Sequence, residues 1–190
     1  MELVAVVAII SIFAALAIPV AVNQLRDRHV FEAARRTALL YRQARLHAMG
    51  RGGAVLVNFN AGAYRVLEAV QGTHPDPNCR SLPVASCTDT VWETPASVRA
   101  INSLAAAGTG ELSDLTLTLL NSAGTTLNYV DVCFTPLGRP LVRFTAGSAF
   151  SAMDEAFVAR AARDTSSRTL PRQAVLMPNG TARMMALEAP

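Results

Sequence analysis

The sequence has 190 residues, enough for one ordinary domain with an additional helical segment but not comfortably enough for two domains. Hydrophobic residues make up 51% of the chain, and the excess over a soluble domain is concentrated in the first part of the sequence. Seventeen basic and fourteen acidic residues give a net charge of +3. That charge is too small to indicate nucleic acid or anionic lipid as a partner by itself.

The chain begins with an apolar segment, residues 3–22, in which Ser11 is the only polar residue. Twenty helical residues extend about 30 Å, the thickness of the hydrocarbon core of a bilayer. We therefore expect a transmembrane helix here. A cleaved signal peptide is the alternative, but it needs a basic region first, and Met1 is followed directly by Glu2.

The helical pattern continues over residues 23–49, where apolar and small residues recur at helical spacing between charged ones. That pattern is typical of an amphipathic helix. Three glycines at positions 50–53 indicate where the helix ends. Pro19 lies inside the helix, where it removes a backbone hydrogen bond at a cost of about 3 kcal/mol. We expect a kink or a locally melted stretch at residues 15–19.

Beyond the glycines the period changes from that of a helix to that of a strand. Two strands, at 54–59 and 64–70, flank a predicted hairpin turn at residues 60–62. A second hairpin is predicted at Asn179 and Gly180, a pair that supplies the positive φ angles of a type I′ turn. The other predicted strands are 115–120, 128–134, 141–144, 173–177 and 182–187.

Residues 152–164 have helical propensity but alternate like a strand, and we favour the strand. The predicted fold class is α+β, with a long N-terminal α-helix packed on an antiparallel β-sheet domain. The helix has a transmembrane half, residues 1–22, and an amphipathic half, residues 23–49. Residues 50–190 form the β-rich C-terminal domain.

Three cysteines permit one disulfide and leave one thiol over. In an oxidising compartment the closely spaced Cys79 and Cys87 are the expected pair. Cys133 lies in an apolar strand pattern, and it is either free or an alternative partner for one of the other two.

Enzyme signatures are missing: there is no G-x-S-x-G, no H-E-x-x-H and no phosphate-binding loop. His29, His47 and His74 are dispersed, and no C-x-x-C motif occurs. We therefore expect no catalysis, no metal, no other cofactor and no small-molecule substrate.

Glu2 places an acid at the start of an apolar helix, which costs roughly 2.5–3.5 kcal/mol inside a bilayer. Glu2 is followed seventeen positions later by Pro19. This segment resembles the N-terminus of type IV pilins and type II secretion pseudopilins, where a glutamate precedes a helix-bending proline by the same spacing. The resemblance implies the pilin fold and a pairing of Glu2 with the N-terminal amine of a neighbouring subunit. The simpler alternative is that Glu2 sits at the membrane surface and favours the positive end of the helix dipole.

The family carries a short basic leader ending in Gly, then Phe-Thr-Leu and one more residue before the glutamate. Only Met1 precedes Glu2 in this sequence. We therefore expect the natural chain to begin further upstream, and the peptidase site and the methylated first residue have no assigned residue here.

Residues 44–51, Ala-Arg-Leu-His-Ala-Met-Gly-Arg, lead into a predicted strand and resemble the helix end of FimT/GspH-like minor pseudopilins. The closing hairpin resembles theirs too, with Arg183 three residues after Gly180. The alternative is a major pilin, in which a disulfide-bounded loop usually lies near the C-terminus, whereas the last cysteine here is Cys133. The resemblance implies a minor subunit that primes or caps a type IV pilus or a type II secretion pseudopilus.

The partners implied are other minor pilins or pseudopilins, the major pilin, the inner membrane and its assembly platform. The implied location is the bacterial inner membrane, crossed once, with the C-terminal domain in the periplasm and, after assembly, near the filament tip. The alternative function is a DNA-binding pilus-tip subunit for DNA uptake, because some relatives resemble receptors with arginine-rich C-terminal hairpins. Arg168, Arg172 and Arg183 are then the candidate contacts with phosphate, although solvated surface arginines are the simpler account.

Overall fold

The described part of the chain folds as one long helix and two antiparallel sheets. The computed structural model describes residues 2–71, 82–105, 115–163 and 170–185, and in the first half of the helix it describes only some side chains. The helix α1 spans Glu2–Arg51 and has 50 residues. At 1.5 Å per residue, it is about 75 Å long.

The course of α1 bears on two predictions. Gly52 has a φ of 68°, the left-handed conformation that commonly ends helices, so the glycines at 50–53 mark the end of α1 as predicted. Residues 15–19 are helical throughout, so the locally melted stretch predicted there is not found. A bend at Pro19 stays a prediction.

The second half of α1 packs on the sheets. Its buried residues recur three or four positions apart, as the predicted amphipathic stripe requires. Five of the nine are alanines, whose small side chains let the strands approach the helix closely. The buried residues are Val30, Ala33, Ala34, Thr37, Ala38, Leu40, Tyr41, Ala44 and Ala48.

The described residues form eleven strands, and all the pairs within the two sheets are antiparallel. The first sheet has the order β3-β2-β1-β6-β7-β8, and the second has the order β11-β10-β9-β4-β5. A 3₁₀ helix, Pro95–Ser97, precedes β3. The strands are β1 Val55–Asn60, β2 Ala63–Ala69, β3 Val98–Ala105, β4 Leu115–Leu120, β5 Thr126–Leu127, β6 Tyr129–Phe134, β7 Pro140–Arg143, β8 Ser151–Ala152, β9 Phe157–Arg163, β10 Arg172–Leu176 and β11 Ala182–Met185.

Both sheets turn one face towards α1 and share one hydrophobic core. Val57 and Phe59 of β1 contribute to it from the first sheet, and Phe157 and Ala159 of β9 contribute from the second. Successive side chains of a strand point to opposite faces. The residues between these apolar ones therefore lie on the outer faces of the sheets.

The outer face of the first sheet is also covered. The segment 82–97, which we call the covering segment, lies over it, and a second apolar cluster there includes Leu56, Trp92 and Cys133. Strands β1 and β6 are consequently buried on both faces over most of their length. This second cover explains why their sequences read as nearly continuous apolar runs.

Both predicted hairpins are confirmed, with one difference in turn type. Ala61 and Gly62, between β1 and β2, have φ values of 45° and 85°, the two positive angles of a type I′ turn. In the loop between β10 and β11, only Gly180 has a positive φ, and its N–H donates to the Met177 carbonyl at 2.8 Å. The predicted type I′ turn is therefore replaced by a type I turn followed by a left-handed glycine, and Pro178 presets the first φ of that turn.

Most of the predicted strands are found. Strands β4, β6, β7, β10 and β11 begin within one residue of the predicted positions. The strand interpretation of residues 152–164 is confirmed by β9. Strands β3, β5 and β8 are not anticipated by the sequence, and residues 186 and 187 of the last predicted strand lie outside the described part.

The predicted fold class is wrong. In place of an α+β pilin fold with one antiparallel sheet domain on the helix, the described residues form a mainly antiparallel β structure with two sheets and one helix. Alternation along a strand indicates which face is buried, but it does not indicate which sheet the strand joins. Two sheets that share one helix therefore look like one sheet in the sequence.

The predicted transmembrane half at residues 1–22 is also contradicted. In the part of the chain that the structure describes, no helix combines the length and the apolar character needed to cross a bilayer. A span needs about 20 consecutive apolar helical residues. The predicted single-pass location in the bacterial inner membrane is corrected with it.

Candidate functional site

The first part of α1 carries exposed apolar side chains. Every side chain described before Val30 is exposed. Phe13 is 67% exposed, Ile18 61% and Leu25 54%. Ile18 and Leu25 are seven residues apart and share one side of the helix, whereas Phe13 lies on another side. A helix that is apolar on several sides is one that other elements surround.

The two residues that carry the family resemblance both belong to this helix. Glu2 is its first residue, and Pro19 lies about 26 Å further along the helix axis. The side chains of both lie outside what the structure describes. The pairing of Glu2 with the amine of a neighbouring subunit therefore stays a prediction.

The other end of α1 is held by a buried acid, Glu68 of β2, whose side chain is completely buried. Arg51 Nε lies 2.7 Å from Glu68 Oε1, and His47 Nε2 lies 3.3 Å from the same oxygen. Arg99 of β3 donates to the other oxygen, Oε2. Glu68 thus joins the last turn of the helix to two strands of the first sheet, and we call this group the Glu68 site.

A second completely buried acid, Asp131 of β6, lies on the outer face of the first sheet under its cover. Asn58 Nδ2 donates to Asp131 Oδ1 at 2.6 Å. Tyr129 Oη and Arg143 Nε donate to Oδ2, each at 2.7 Å. The pairing of β1, β6 and β7 places Asn58, Asp131 and Arg143 side by side. We call this group the Asp131 site.

Arg143 also connects the Asp131 site to the covering segment. Its Nη2 donates to Glu93 Oε1 at 2.6 Å, and the Gly147 N–H donates to the same oxygen at 2.9 Å. The Arg143 guanidinium lies 4.8 Å from the ring centre of Phe150, within the range of a cation–π contact. One buried arginine thus balances Asp131 and holds the loops that cover it.

These contacts shift three pKa values. Burial alone raises the pKa of Glu93, but backbone hydrogen bonding and the Arg143 guanidinium outweigh it, so that pKa lies below its ordinary value of 4.5. Burial lowers the pKa of Arg143, and the hydrogen bond and charge of Asp131 more than reverse this. Burial and the hydrogen bond to Asp131 both raise the pKa of Tyr129. All three shifts favour the protonation states that these ion pairs and the Tyr129 hydrogen bond need.

The disulfide joins Cys87 and Cys133, with an S–S distance of 2.05 Å. The preferred Cys79–Cys87 pair is therefore wrong, and the alternative role of Cys133 as a partner is correct. Cys79 lies outside the described residues. Because Cys133 is two residues from Asp131 on the same face of β6, the disulfide ties the covering segment directly beside the Asp131 site. The indole N–H of Trp92 donates to the Cys87 carbonyl at 2.9 Å and closes this cover.

The two candidate DNA contacts that the structure describes, Arg172 and Arg183, are not brought together. Arg172 lies opposite Ala161 of β9, and Arg183 lies opposite Val175 of β10. Arg172 and Val175 are three positions apart on one strand, so the two arginines fall on opposite faces of the second sheet. Arg168 lies outside the described residues. DNA binding stays a prediction, without a shared basic face to support it.

The two histidines that the structure describes, His29 and His47, do not form a site with one another. His29 and His47 are eighteen residues apart on α1, and His74 lies outside the described residues. Within the described ranges, no three histidine, cysteine or acidic side chains are placed to hold a metal ion. The expected absence of metal and catalysis stays a prediction.

Sequence reasoning missed Glu68 and Asp131, although both carry a signal. Each is a single acid between apolar residues of a strand, in Val-Leu-Glu-Ala and in Val-Asp-Val-Cys. Such an acid is buried only when cations or hydrogen-bond donors meet it. The sequence does not indicate which distant residues those are.

No known family model, no curated protein and no solved structure matches this chain.

Proposed function

We propose that the chain is a minor pilin or pseudopilin, a structural subunit that primes or caps a filament of packed helices. The observation that carries the proposal is the first part of α1, whose described side chains are exposed although Phe13, Ile18 and Leu25 are large and apolar. Burying each of them against neighbouring helices contributes about 1.5–3 kcal/mol. The spacing of Glu2 and Pro19 supports the same family.

The proposed mechanism is structural. The exposed part of α1 packs among the helices of neighbouring subunits, and the Glu2 carboxylate pairs with an N-terminal amine there, which sets the register of one subunit on the next. The Glu68 site keeps the far end of α1 fixed to the sheets. A force on the exposed part of α1 is therefore transmitted to the two sheets. The partners proposed are other minor subunits and the major subunit.

The test is complementation of a deletion strain. Deleting the gene should abolish surface filaments or secretion, and the wild-type chain should restore them. Ile18→Arg places a charge in the proposed helix contact and should fail to restore them. Val91→Arg makes the same kind of change at a 56% exposed position of the β-domain and should complement normally.

Two results would overturn the proposal. Filaments and secretion that are unaffected by the deletion would rule out a subunit role. Full complementation by Ile18→Arg would show that the exposed helix does not enter a helix bundle. Glu2→Leu tests the charge pairing separately. If that variant is incorporated normally, the pairing hypothesis is wrong, but packing of the helix among its neighbours is not excluded.

A further inference from the structure

The described strands include four at the edges of the two sheets, and three of these edges are protected against pairing with another strand. Strands β5 and β8 have two residues each, and β11 has four residues and carries Arg183. Short strands and charged residues are common devices that keep sheet edges from pairing. The fourth edge strand, β3, has eight residues, and its sequence over 100–105, Ala-Ile-Asn-Ser-Leu-Ala, contains neither a charge nor a proline.

The outer edge of β3 is open in the described part of the chain. Residues 100–103 are all exposed, and β2 is the only described strand that pairs with β3. Residues 102–105 pair one to one with residues 63–66 of β2, so this end of β3 is regular. In an antiparallel pair, alternate residues direct their N–H and C=O groups away from the partner strand. The edge at 102–105 therefore offers backbone groups to a further strand.

The Ser103 N–H shows how the open edge is satisfied without such a strand. It donates to the side-chain oxygen of Asn102 at 2.8 Å. A side chain of β3 itself thus serves as the acceptor, in a contact that is exposed to water. A carbonyl of an added strand can replace this acceptor, because the Asn102 side chain is exposed and can turn away.

A groove runs beside this edge, between β3 and the second half of α1. Two adjoining cavities of about 430 and 250 Å³ form it, and both are lined by Leu40, Gln43 and Asn102. Leu40 belongs to the hydrophobic core, so the groove reaches down to buried apolar surface. At its rim, Leu46 is 67% exposed and Ile101 40%. Side chains that enter the groove from the edge of β3 would remove this apolar surface from water.

A β-bulge turns Ile101 towards the groove. Asn102 pairs with Val66 and Ala100 pairs with Leu67, so Ile101 has no residue opposite it. Neighbouring side chains of a regular strand point to opposite faces, whereas a bulge re-aims one of them. Accordingly, Ile101 and Asn102 both line the groove. The bulge therefore places an aliphatic side chain at the groove next to the regular edge at 102–105.

The lining of the groove indicates which kind of segment fits it. No acidic side chain lines it, and its one arginine, Arg36, forms an ion pair with Glu32 at 3.0 Å. Uncharged aliphatic side chains are therefore the best match. A second copy of β3 is a poor occupant, because Ala100, Ser103 and Ala105 are too small to fill the groove. Unfilled space forfeits the packing contacts that a larger side chain would make.

We propose that the edge of β3 binds an extended segment of a partner protein, which joins the first sheet as an additional strand. Its backbone bonds to residues 102–105, and aliphatic side chains at alternate positions fill the groove between β3 and α1. This surface lies on the β-domain and not on the exposed part of α1. The proposal therefore goes beyond the helix packing of the proposed function and does not depend on it.

The test uses the full chain, kept in solution by a mild detergent, and a fluorescein-labelled peptide Ser-Ile-Thr-Ile-Thr-Ile-Ser, with fluorescence anisotropy as the measurement. The peptide should bind. Two N-methylated versions are the matched pair, one methylated at the isoleucine amides and the other at the threonine amides. A strand pairs through the amides of one set only, so one version should bind like the parent peptide. The other should bind at least about tenfold more weakly, because its hydrogen bonds are lost.

Variants of the protein locate the binding. Ile101→Lys places a charge at the groove beside the edge and should weaken binding at least about tenfold. Met185→Lys is the matched control, since it makes the same kind of change at a 50% exposed position of the edge strand β11. Leu46→Gln changes only the rim that α1 contributes and should weaken binding several-fold. Circular dichroism should show all three variants folded.

Four results would overturn the proposal. Equal affinity of the two methylated peptides would show that no strand pairing takes place, and unchanged affinity of Ile101→Lys would place the binding elsewhere. Absence of binding by the parent peptide would show that the edge is not available, as when another part of this chain occupies it. A dimer that Ile101→Lys abolishes, without peptide binding, would identify a second copy as the occupant. Ile18→Arg should bind the peptide normally, so this test and the complementation test can fail separately.

Discussion

Two completely buried carboxylates are held in different ways. Glu68 has two arginines and a histidine as partners, and their side chains are 29–35% exposed. Asp131 has one, Arg143, which is only 5% exposed, together with the neutral donors Asn58 and Tyr129. Water reaches the charges around Glu68 and shares in balancing them. The Asp131 site is balanced almost entirely within the protein, so the loss of its single cation leaves an uncompensated buried charge.

The comparison predicts very different losses of stability for two arginines. Arg143→Met should lower the free energy of unfolding by about 3–5 kcal/mol, because it leaves Asp131 buried without a counter-charge. Arg99→Met should cost about 1 kcal/mol or less, since Glu68 keeps two further partners and Arg99 is partly hydrated. Urea unfolding measures both. Equal losses would show that the two sites are equally redundant.

The disulfide should stabilise the protein and shield the Asp131 site from water, and it should not affect the Glu68 site. It closes a loop between positions 46 residues apart, for which chain entropy gives about 4 kcal/mol. Reduction with dithiothreitol should lower the unfolding midpoint accordingly. It should also reduce the penalty of Arg143→Met, because the covering segment loosens and water enters, while the penalty of Arg99→Met stays the same. If reduction instead changed the penalty of Arg99→Met and left that of Arg143→Met the same, the covering segment would not be what shields Asp131.

The two sites can also be compared by replacing each acid with its amide. Glu68→Gln should cost about 2 kcal/mol, since the charge-assisted hydrogen bond from Arg99 is weakened but the partly exposed partners of Glu68 can rehydrate. Asp131→Asn should cost more, because Arg143 then stays buried without its main partner. Asp154→Asn, at an exposed position, is the control. Thermal unfolding ranks the three variants.

The smallest expected effect concerns pH. Because the pKa of Glu93 is lower in the folded chain, its contribution to stability is complete above about pH 4.5 and is lost as the pH falls through the folded value. Glu93→Gln should therefore unfold with a shallower dependence on pH below 4.5 than the wild type. Urea midpoints at pH 7 and at pH 3.5 measure this. If Glu93→Gln left the fall of the urea midpoint between pH 7 and pH 3.5 unchanged, Arg143 would hold Asp131 without help from Glu93.

Sequence periodicity predicts the helices and strands that bury one face and expose the other. The second half of α1 and strands such as β4 alternate or repeat in the expected way. Strand β3 was missed because residues 100–103 are all exposed, so its sequence shows no alternation. Backbone pairing with β2 makes it a strand, and pairing leaves no mark on composition.

The sites could be predicted only in part. Sequence separation favoured the short Cys79–Cys87 loop, whereas the covering segment carries Cys87 across the sheet to β6. The partners of Glu68 come from α1 and β3, which the fold brings together and the sequence keeps apart. The apolar character of residues 3–22 predicts a bilayer span, although the same composition also suits packing among helices.

Trp92 is the only tryptophan of the chain, and it lies against the disulfide. A neighbouring disulfide quenches indole fluorescence, so the intact protein should be dim and the reduced protein bright. The molecule therefore contains its own optical probe for the cover over Asp131, and release of that cover can be timed in solution without any label.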